Sequence, residues 1–345
     1  MRPKSRLLRL IEAGLALAVL LGPACRSDAA DRPAMPPVTA PVMFNTPEAD
    51  RILAALQVFP PDSPWNEDIS TRPVLKNSVE MIAGIGKDRK LSYNLDMAFI
   101  LVPADQKRVP IAFTAYPDES DPGPYPIPDN APIENWPLDG RPLAAAQEAK
   151  ERGDRHVIVV DPASRMLYEL YQGRKIAAGW QCASAAVFDL KSNKLRPDGW
   201  TSTDAAGLPI FPAIIRFDEV ERGMVEHAMR FTVKSTRRAY VYPATHYASS
   251  KKDANLPRMG ERFRLRADFD TSGFSPHIQA ILKGLKKYGM FVADNGLDWR
   301  LSVAPDSRIK GLDELGRVKG SDFEVIVPTG ATEGPRSQNG SGVRH

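Results

Sequence analysis

Six prolines fall between Asp118 and Asp139, four of them in the run Pro122-Gly123-Pro124-Tyr125-Pro126-Ile127-Pro128. Proline has no N–H to give to a sheet ladder, and its ring clashes with the preceding turn of a helix. The segment is therefore excluded from sheet and helix interiors and is predicted to wrap a surface built by other parts of the chain. Irregular segments longer than about 15 residues are functional or disordered in compact domains. Tyr116, Tyr125 and Trp136 supply apolar anchors that argue for order here.

The surface to be wrapped is legible downstream. His156–Asp161, Met166–Tyr171 and Ile176–Trp180 read as a meander, with turns at Asp161-Pro162-Ala163-Ser164 and Gln172-Gly173. Further strands are predicted at Ile210–Val220, Val225–Val233, Ala239–Pro243, Arg262–Ala267 and Phe323–Val327. Met290–Asp294 and Leu297–Val303 flank Asn295-Gly296, a strong hairpin signal. Upstream, Met97–Pro103 and Val109–Thr114 read as two strands joined by a charged turn. Helices are expected at Pro47–Leu56, capped by Thr46, and from Ser275 to Gly289, where Ile278, Ile281, Leu282 and Leu285 form one stripe. Residues 60–73 read as a loop anchored by Trp65. The fold class expected is mainly β, a β-rich α+β chain. Residues 47–328 would form one large barrel- or sandwich-like domain with a few peripheral helices.

The termini read differently. Arg2, Lys4, Arg6 and Arg9 precede an apolar run from Ala13 to Leu21, and Ser27 and Ala29 offer a cleavage site, so residues 1–29 read as an export signal. Cys25 offers a second reading, a lipid anchor. Residues 30–46 read as a Pro-rich tether and 329–345 as a disordered tail. No stretch reaches the roughly 20 apolar residues of a membrane-spanning helix. The signal carries five Lys/Arg against two Asp/Glu, so its loss takes the net charge from +4 to +1. A nearly neutral chain gives no electrostatic case for a nucleic-acid partner. With Cys25 cleaved or lipidated, Cys182 has no disulfide partner.

Four stretches carry a resemblance: Asp118 to Pro128, Ala186-Val187-Phe188-Asp189-Leu190, Gly199 to Pro209, and Tyr288 to Gly296. Together they resemble a family of uncharacterised secreted bacterial proteins, over most of residues 59–327. The resemblance implies export and a single fold, and carries no activity.

Several constellations have the residue types that chemistry needs. If Ile210–Val220 and Val225–Val233 pair about a turn at 221–224, Asp218 or Glu219 lies near His227, with Arg216 alongside. A carboxylate beside an imidazole fixes the ring and raises its basicity, as acid–base catalysis requires. The alternative is a hydrogen-bonded core histidine. His246-Tyr247, beside Arg237, Arg238, Lys251 and Lys252, holds the parts of a polysaccharide lyase: a base, and cations to neutralise a uronate. Arg262, Arg264 and Arg266 alternate along a strand and would clamp an acidic ligand or guard a sheet edge. Asp294 is the candidate second carboxylate of a glycosidase pair with Asp218, Glu219 or Asp189. Trp65, Tyr125, Trp136, Trp200 and Trp299 are candidate sugar-stacking rings. Cys182 reads as a structural thiol; the Ser-His-Gly-Cys stretch of L,D-transpeptidases is absent although His156–Gly179 is superficially similar to the start of such domains. No metal motif and no phosphate loop occur, so neither metal nor cofactor is expected.

The expected function is that of an extracytoplasmic carbohydrate-active enzyme, a hydrolase or lyase acting on a polysaccharide or other glycan. Asp218, Glu219, His227, His246 and Asp294 would be its catalytic residues, and Arg216, Tyr247, Trp200, Trp299 and Arg264 its substrate-binding ones. The alternative is a carbohydrate-binding or cell-surface module without chemistry.

Overall fold

Residues 32–329 are described by a computed structural model, so the expected signal segment, Cys25 and the tail beyond Thr329 lie outside the described residues. In chain order the first strands are β1 (Val42–Met43), β2 (Ser92–Leu95), β3 (Phe99–Leu101), β4 (Ile111–Phe113), β5 (Val157–Asp161) and β6 (Met166–Tyr171). Then come β7 (Arg174–Ile176), β8 (Gly179–Cys182), β9 (Ser184–Asp189), β10 (Met229–Val233), β11 (Arg262–Leu265), β12 (Met290–Asn295), β13 (Arg300–Val303) and β14 (Phe323–Val325). The helices are α1 (Pro47–Ala55), α2 (Ser78–Ile85), α3 (Leu143–Glu148), α4 (Phe217–Arg222) and α5 (Pro276–Lys287).

Three open sheets result: β1-β3-β5-β6-β9, β14-β11-β12-β10-β13-β2, and β4-β8-β7. The class is mixed α/β, 22% strand and 19% helix, and none of these sheets closes on itself. The barrel expectation is thereby corrected, and mainly-β holds only loosely.

Strand alternation shows how the layers meet. Ile158 and Val160 of β5 face a core shared with the second sheet, which contributes Phe231, Phe263, Val292 and Leu301. Val157 and Val159 face the other way, into a second core completed by Trp180, Cys182, Tyr125, Ile127 and Ile133. The proline-rich segment thus wraps the outer face of the first sheet. Tyr125, Ile127 and Ile133 are buried there, each worth roughly 1.5–3 kcal/mol, whereas Leu138 and the expected anchor Tyr116 are exposed.

Both expected long helices form. Thr46 Oγ1 accepts from Ala49 N–H at 3.2 Å, and Gly289 ends the second in the left-handed region, φ +68°. Elsewhere tertiary pairing overrides local signals. β12 and β13 flank the Asn295-Gly296 turn but do not pair, because β10 lies between them, parallel to β12 and antiparallel to β13. Of the expected meander, β5 and β6 pair, but β6 then pairs with β9, while β7 and β8 leave to join β4. β3 and β4 likewise enter different sheets. The expected strand Ile210–Val220 is a short 3-10 turn, Phe211–Ala213, followed by α4. The expected tether is no free tether: Val42 pairs with Leu101, and Phe44 is core. Thr329, expected in the tail, is buried and donates to Glu67 Oε2 at 2.9 Å.

Candidate functional site

The expected pairing of a carboxylate with His227 is present, though a helix and a loop make it, not a hairpin. Asp218 and Glu219 occupy the first turn of α4, where carboxylates oppose the helix dipole, and Gly223 ends the helix at φ +91°. His227 lies just before β10, its Nε2 2.9 Å from Glu219 Oε2 and its Nδ1 3.0 Å from the Ala228 carbonyl. Arg216 reaches Glu219 Oε1 at 3.0 Å and Asp218 at 3.3 Å, and Arg222 reaches Asp218 at 2.9 Å. Burial would raise Glu219, but Arg216 and His227 overcome it and hold the carboxyl at about 2. Burial also pushes Asp218 up, opposed by Arg216 and Arg222. The cavity beside this cluster holds about 20 Å³, room for about one water. A sugar does not fit. Arg216, Asp218, Glu219 and His227 form a buried, mutually satisfied ion network that ties α4 to the second sheet.

A different centre gathers around Asp294. The register of β10 against β12 runs Phe231↔Val292 and then Thr232↔Asp294, so Ala293 is one extra residue. Such bulges re-aim side chains and recur beside active sites. Here the Ala293 carbonyl accepts from Ala206 N–H at 3.0 Å, which docks the loop 199–209 beside Asp294. Gly207, at φ +74°, makes the docking possible: a Cβ there would lie 2.1 Å from Thr245 Oγ1. The loop brings in Asp204, whose two oxygens bind Arg230 at 2.8 and 3.0 Å. Arg230 also donates to Ser302 Oγ.

One guanidinium serves more than one carboxylate at this centre. Burial and then the charge of Asp204 push Asp294 up to about 7, with Arg230 only partly relieving them. Asp96, deeper in, is pushed up to about 6 by burial and then Glu134. Asp294 is half-buried and also feels the charge of exposed Asp154.

His246 joins the centre through the same loop. Its Nδ1 lies 2.8 Å from the Ala205 carbonyl, which can only accept, so in the neutral ring Nδ1 carries the hydrogen and Nε2 keeps its lone pair. Asn295, next to Asp294, binds the Ala248 carbonyl at 3.1 Å and Thr236 Oγ1 at 3.0 Å. His246 and Asp294, assigned to separate constellations on sequence, thus flank one loop. Asp204 and Arg230 were missed as site residues. Asp204 lies within a stretch that carried the resemblance, but nothing local marks it for a distant arginine.

The segment 245–248 also borders a cleft of about 720 Å³, lined by Asp198, Gly199, Arg237, Arg238, Ala239, Tyr240, Tyr247, Lys251 and Lys252. Tyr247 stacks between His246, 5.8 Å away with rings at 3°, and Tyr240, 6.2 Å away at 19°.

The remaining candidates go elsewhere. Trp299 is fully buried against Phe231, Phe263 and Phe323 and donates to the Gly86 carbonyl at 3.1 Å, so it is a core residue and no sugar platform. Arg264 is buried against Glu324 at 2.9 Å and the Ile69 carbonyl, so the expected ladder clamps its own chain. Trp200 is half-buried under Arg196, 5.5 Å from the ring centroid. Asp189 is exposed and binds the Lys191 N–H at 2.9 Å, and it does not contribute to the Asp294 centre. The Cys182 thiol is buried and pushed up to about 12. Among the described residues no group of three or more His, Cys, Asp or Glu could hold a metal ion, and no helix is long and apolar enough to cross a membrane. Compared with family models, curated proteins and solved structures, the chain finds no match.

Proposed function

We propose that the protein is an extracytoplasmic glycan hydrolase whose proton donor is Asp294. The observation that carries this reading is a half-buried carboxyl, Asp294, set by the Ala293 bulge beside the loop whose Asp204 is clamped by Arg230, where burial and the Asp204 charge push Asp294 up to about 7. Two acids whose surroundings push them apart are the pattern by which one site supplies a proton donor and keeps a negative charge. Asp294 would protonate the leaving oxygen of a glycosidic bond. His246, through Nε2, would take a proton from the attacking water. Asp204 is a positioning residue: it holds the proton on Asp294 and anchors Arg230 without touching substrate.

A lyase reading rests on the neighbouring cleft, where Tyr247 and four cations meet. The test is an activity screen of the secreted chain on neutral and acidic polysaccharides, reading new reducing ends and unsaturated-sugar absorbance together. Reducing ends alone, with activity falling as pH rises through about 7, support the hydrolase. Unsaturated products move the chemistry to Tyr247 and His246. Retention of glycan with no turnover leaves a binding module.

A further inference from the structure

We infer that the cleft beside Tyr247 is a subsite for an acidic glycan, one that carries carboxylate or sulfate groups along its chain. The inference rests on the reading of the protein as one that acts on glycans, and specifies which kind.

The lining carries four cations, Arg237, Arg238, Lys251 and Lys252, against one carboxylate, Asp198. That carboxylate is already engaged by the Tyr240 hydroxyl. None of the four cations forms an ion pair among the described residues, while arginines across the rest of the chain pair repeatedly. Two of the four are held in place by neutral groups. Arg238 Nε donates to the Tyr247 hydroxyl at 3.1 Å, and Lys251 Nζ donates to Ser235 Oγ at 2.6 Å. Arg237 Nε is shielded from solvent and has no hydrogen-bond partner. A guanidinium has five N–H donors, so Arg237 and Arg238 retain most of their donor capacity for an incoming anion.

The geometry suits a polymer of modest charge. About 720 Å³ lies within the range of small-ligand clefts, and Tyr240 and Tyr247 supply an apolar wall beside the cations. The cleft also shares its segment with the proposed acid centre: Ala248, next to Tyr247, accepts from Asn295, next to Asp294. A glycan seated on the cations is thereby carried toward Asp294.

The experiment titrates the native chain with polygalacturonate, dextran sulfate, neutral dextran and an oligothymidylate of matched charge, at low and high salt. The expected result is binding of one or both acidic glycans, weakened at least tenfold by high salt, with no binding of dextran. The variant K251Q/K252Q, at two exposed positions, should bind at least tenfold more weakly with an unchanged unfolding midpoint, and K251R/K252R should bind as the native chain does. Equal affinity for dextran, unchanged affinity of K251Q/K252Q, or tighter binding of the oligothymidylate would overturn the inference. Asp294→Asn is expected to bind as tightly as native. Acidic-glycan binding without turnover in the native chain would therefore end the hydrolase reading and leave this one standing.

Discussion

The cluster on α4 and the centre around Asp294 are built from the same materials and behave oppositely. On α4, Arg216 and Arg222 pair with Asp218, Glu219 and Glu226, and the His227 ring adds a contact to Glu219. Around Asp294, Arg230 is bonded to the carboxylate of Asp204 and reaches Asp294 and Asp96 only through its charge. Burial would raise both carboxyls; at Glu219 the groups Arg216 and His227 overcome it and hold the carboxyl at about 2, while at Asp294 the charge of Asp204 adds to it and the carboxyl is pushed up to about 7. Burial pushes each of these carboxyls up, and the charges beside it decide whether that push is overcome, leaving a girder, or reinforced, leaving a proton store.

Carboxylate-to-amide changes at the two places should break or sharpen this contrast. Asp294→Asn removes the proposed donor, so turnover should fall about 10²–10⁴-fold, the usual contribution of a general acid. If reducing-end assays show activity retained, the centre is not catalytic. Glu219→Gln takes from Arg216 its closer carboxylate, leaving it Asp218, and should cost about 3–5 kcal/mol in urea unfolding. A loss well under 1 kcal/mol would mean that the α4 network is not the brace described.

The pH dependence of stability separates the two carboxyls in sign. Asp294 is raised, so between about pH 4 and 7 the folded chain keeps a proton that the unfolded chain has released. Its contribution is full below its ordinary value of 3.8 and is lost as pH rises through about 7, by at most ~1.4 kcal/mol per pH unit. Asp294→Asn should therefore match native at pH 4 and be the more stable protein at pH 8. Glu219 is lowered, so its contribution is present above its ordinary value of 4.5 and is lost as pH falls toward about 2. Unfolding curves of native, Asp294→Asn and Glu219→Gln chains at about pH 3, 4, 6 and 8 would test both signs. A smaller effect is expected at His227→Ala, about 1–3 kcal/mol from the orphaned partners of the ring, with turnover unchanged. Loss of turnover in a folded His227→Ala chain would return α4 to the site.

Much of the local structure was legible in the sequence. Thr46-Pro47 and Ser275-Pro276 mark helix starts that tertiary contacts do not contest, and the α5 stripe is buried as its spacing requires. The wrap of Asp118–Asp139 followed from proline chemistry alone. The proximity of Glu219 to His227 was also readable, although the hairpin invoked for it was not formed. Arg216-Phe217-Asp218-Glu219 lacks a clear period, and only its packing against α1 and α5 selects the helix.

What the sequence determined by itself were features settled within a few residues: helix caps, the proline wrap, strand alternation in β5 and β6, and the acids and histidines available for chemistry. The tertiary structure alone decided which of them meet. Inserting β10 between β12 and β13 undid the Asn295-Gly296 hairpin and set Arg230 against Asp204. The bulge at Ala293 then fixed the loop that carries Asp204. Pairing across 60 or more residues is set by the burial of whole sheet faces, and the burial and neighbouring Asp204 charge that raise Asp294 exist only once those faces have closed.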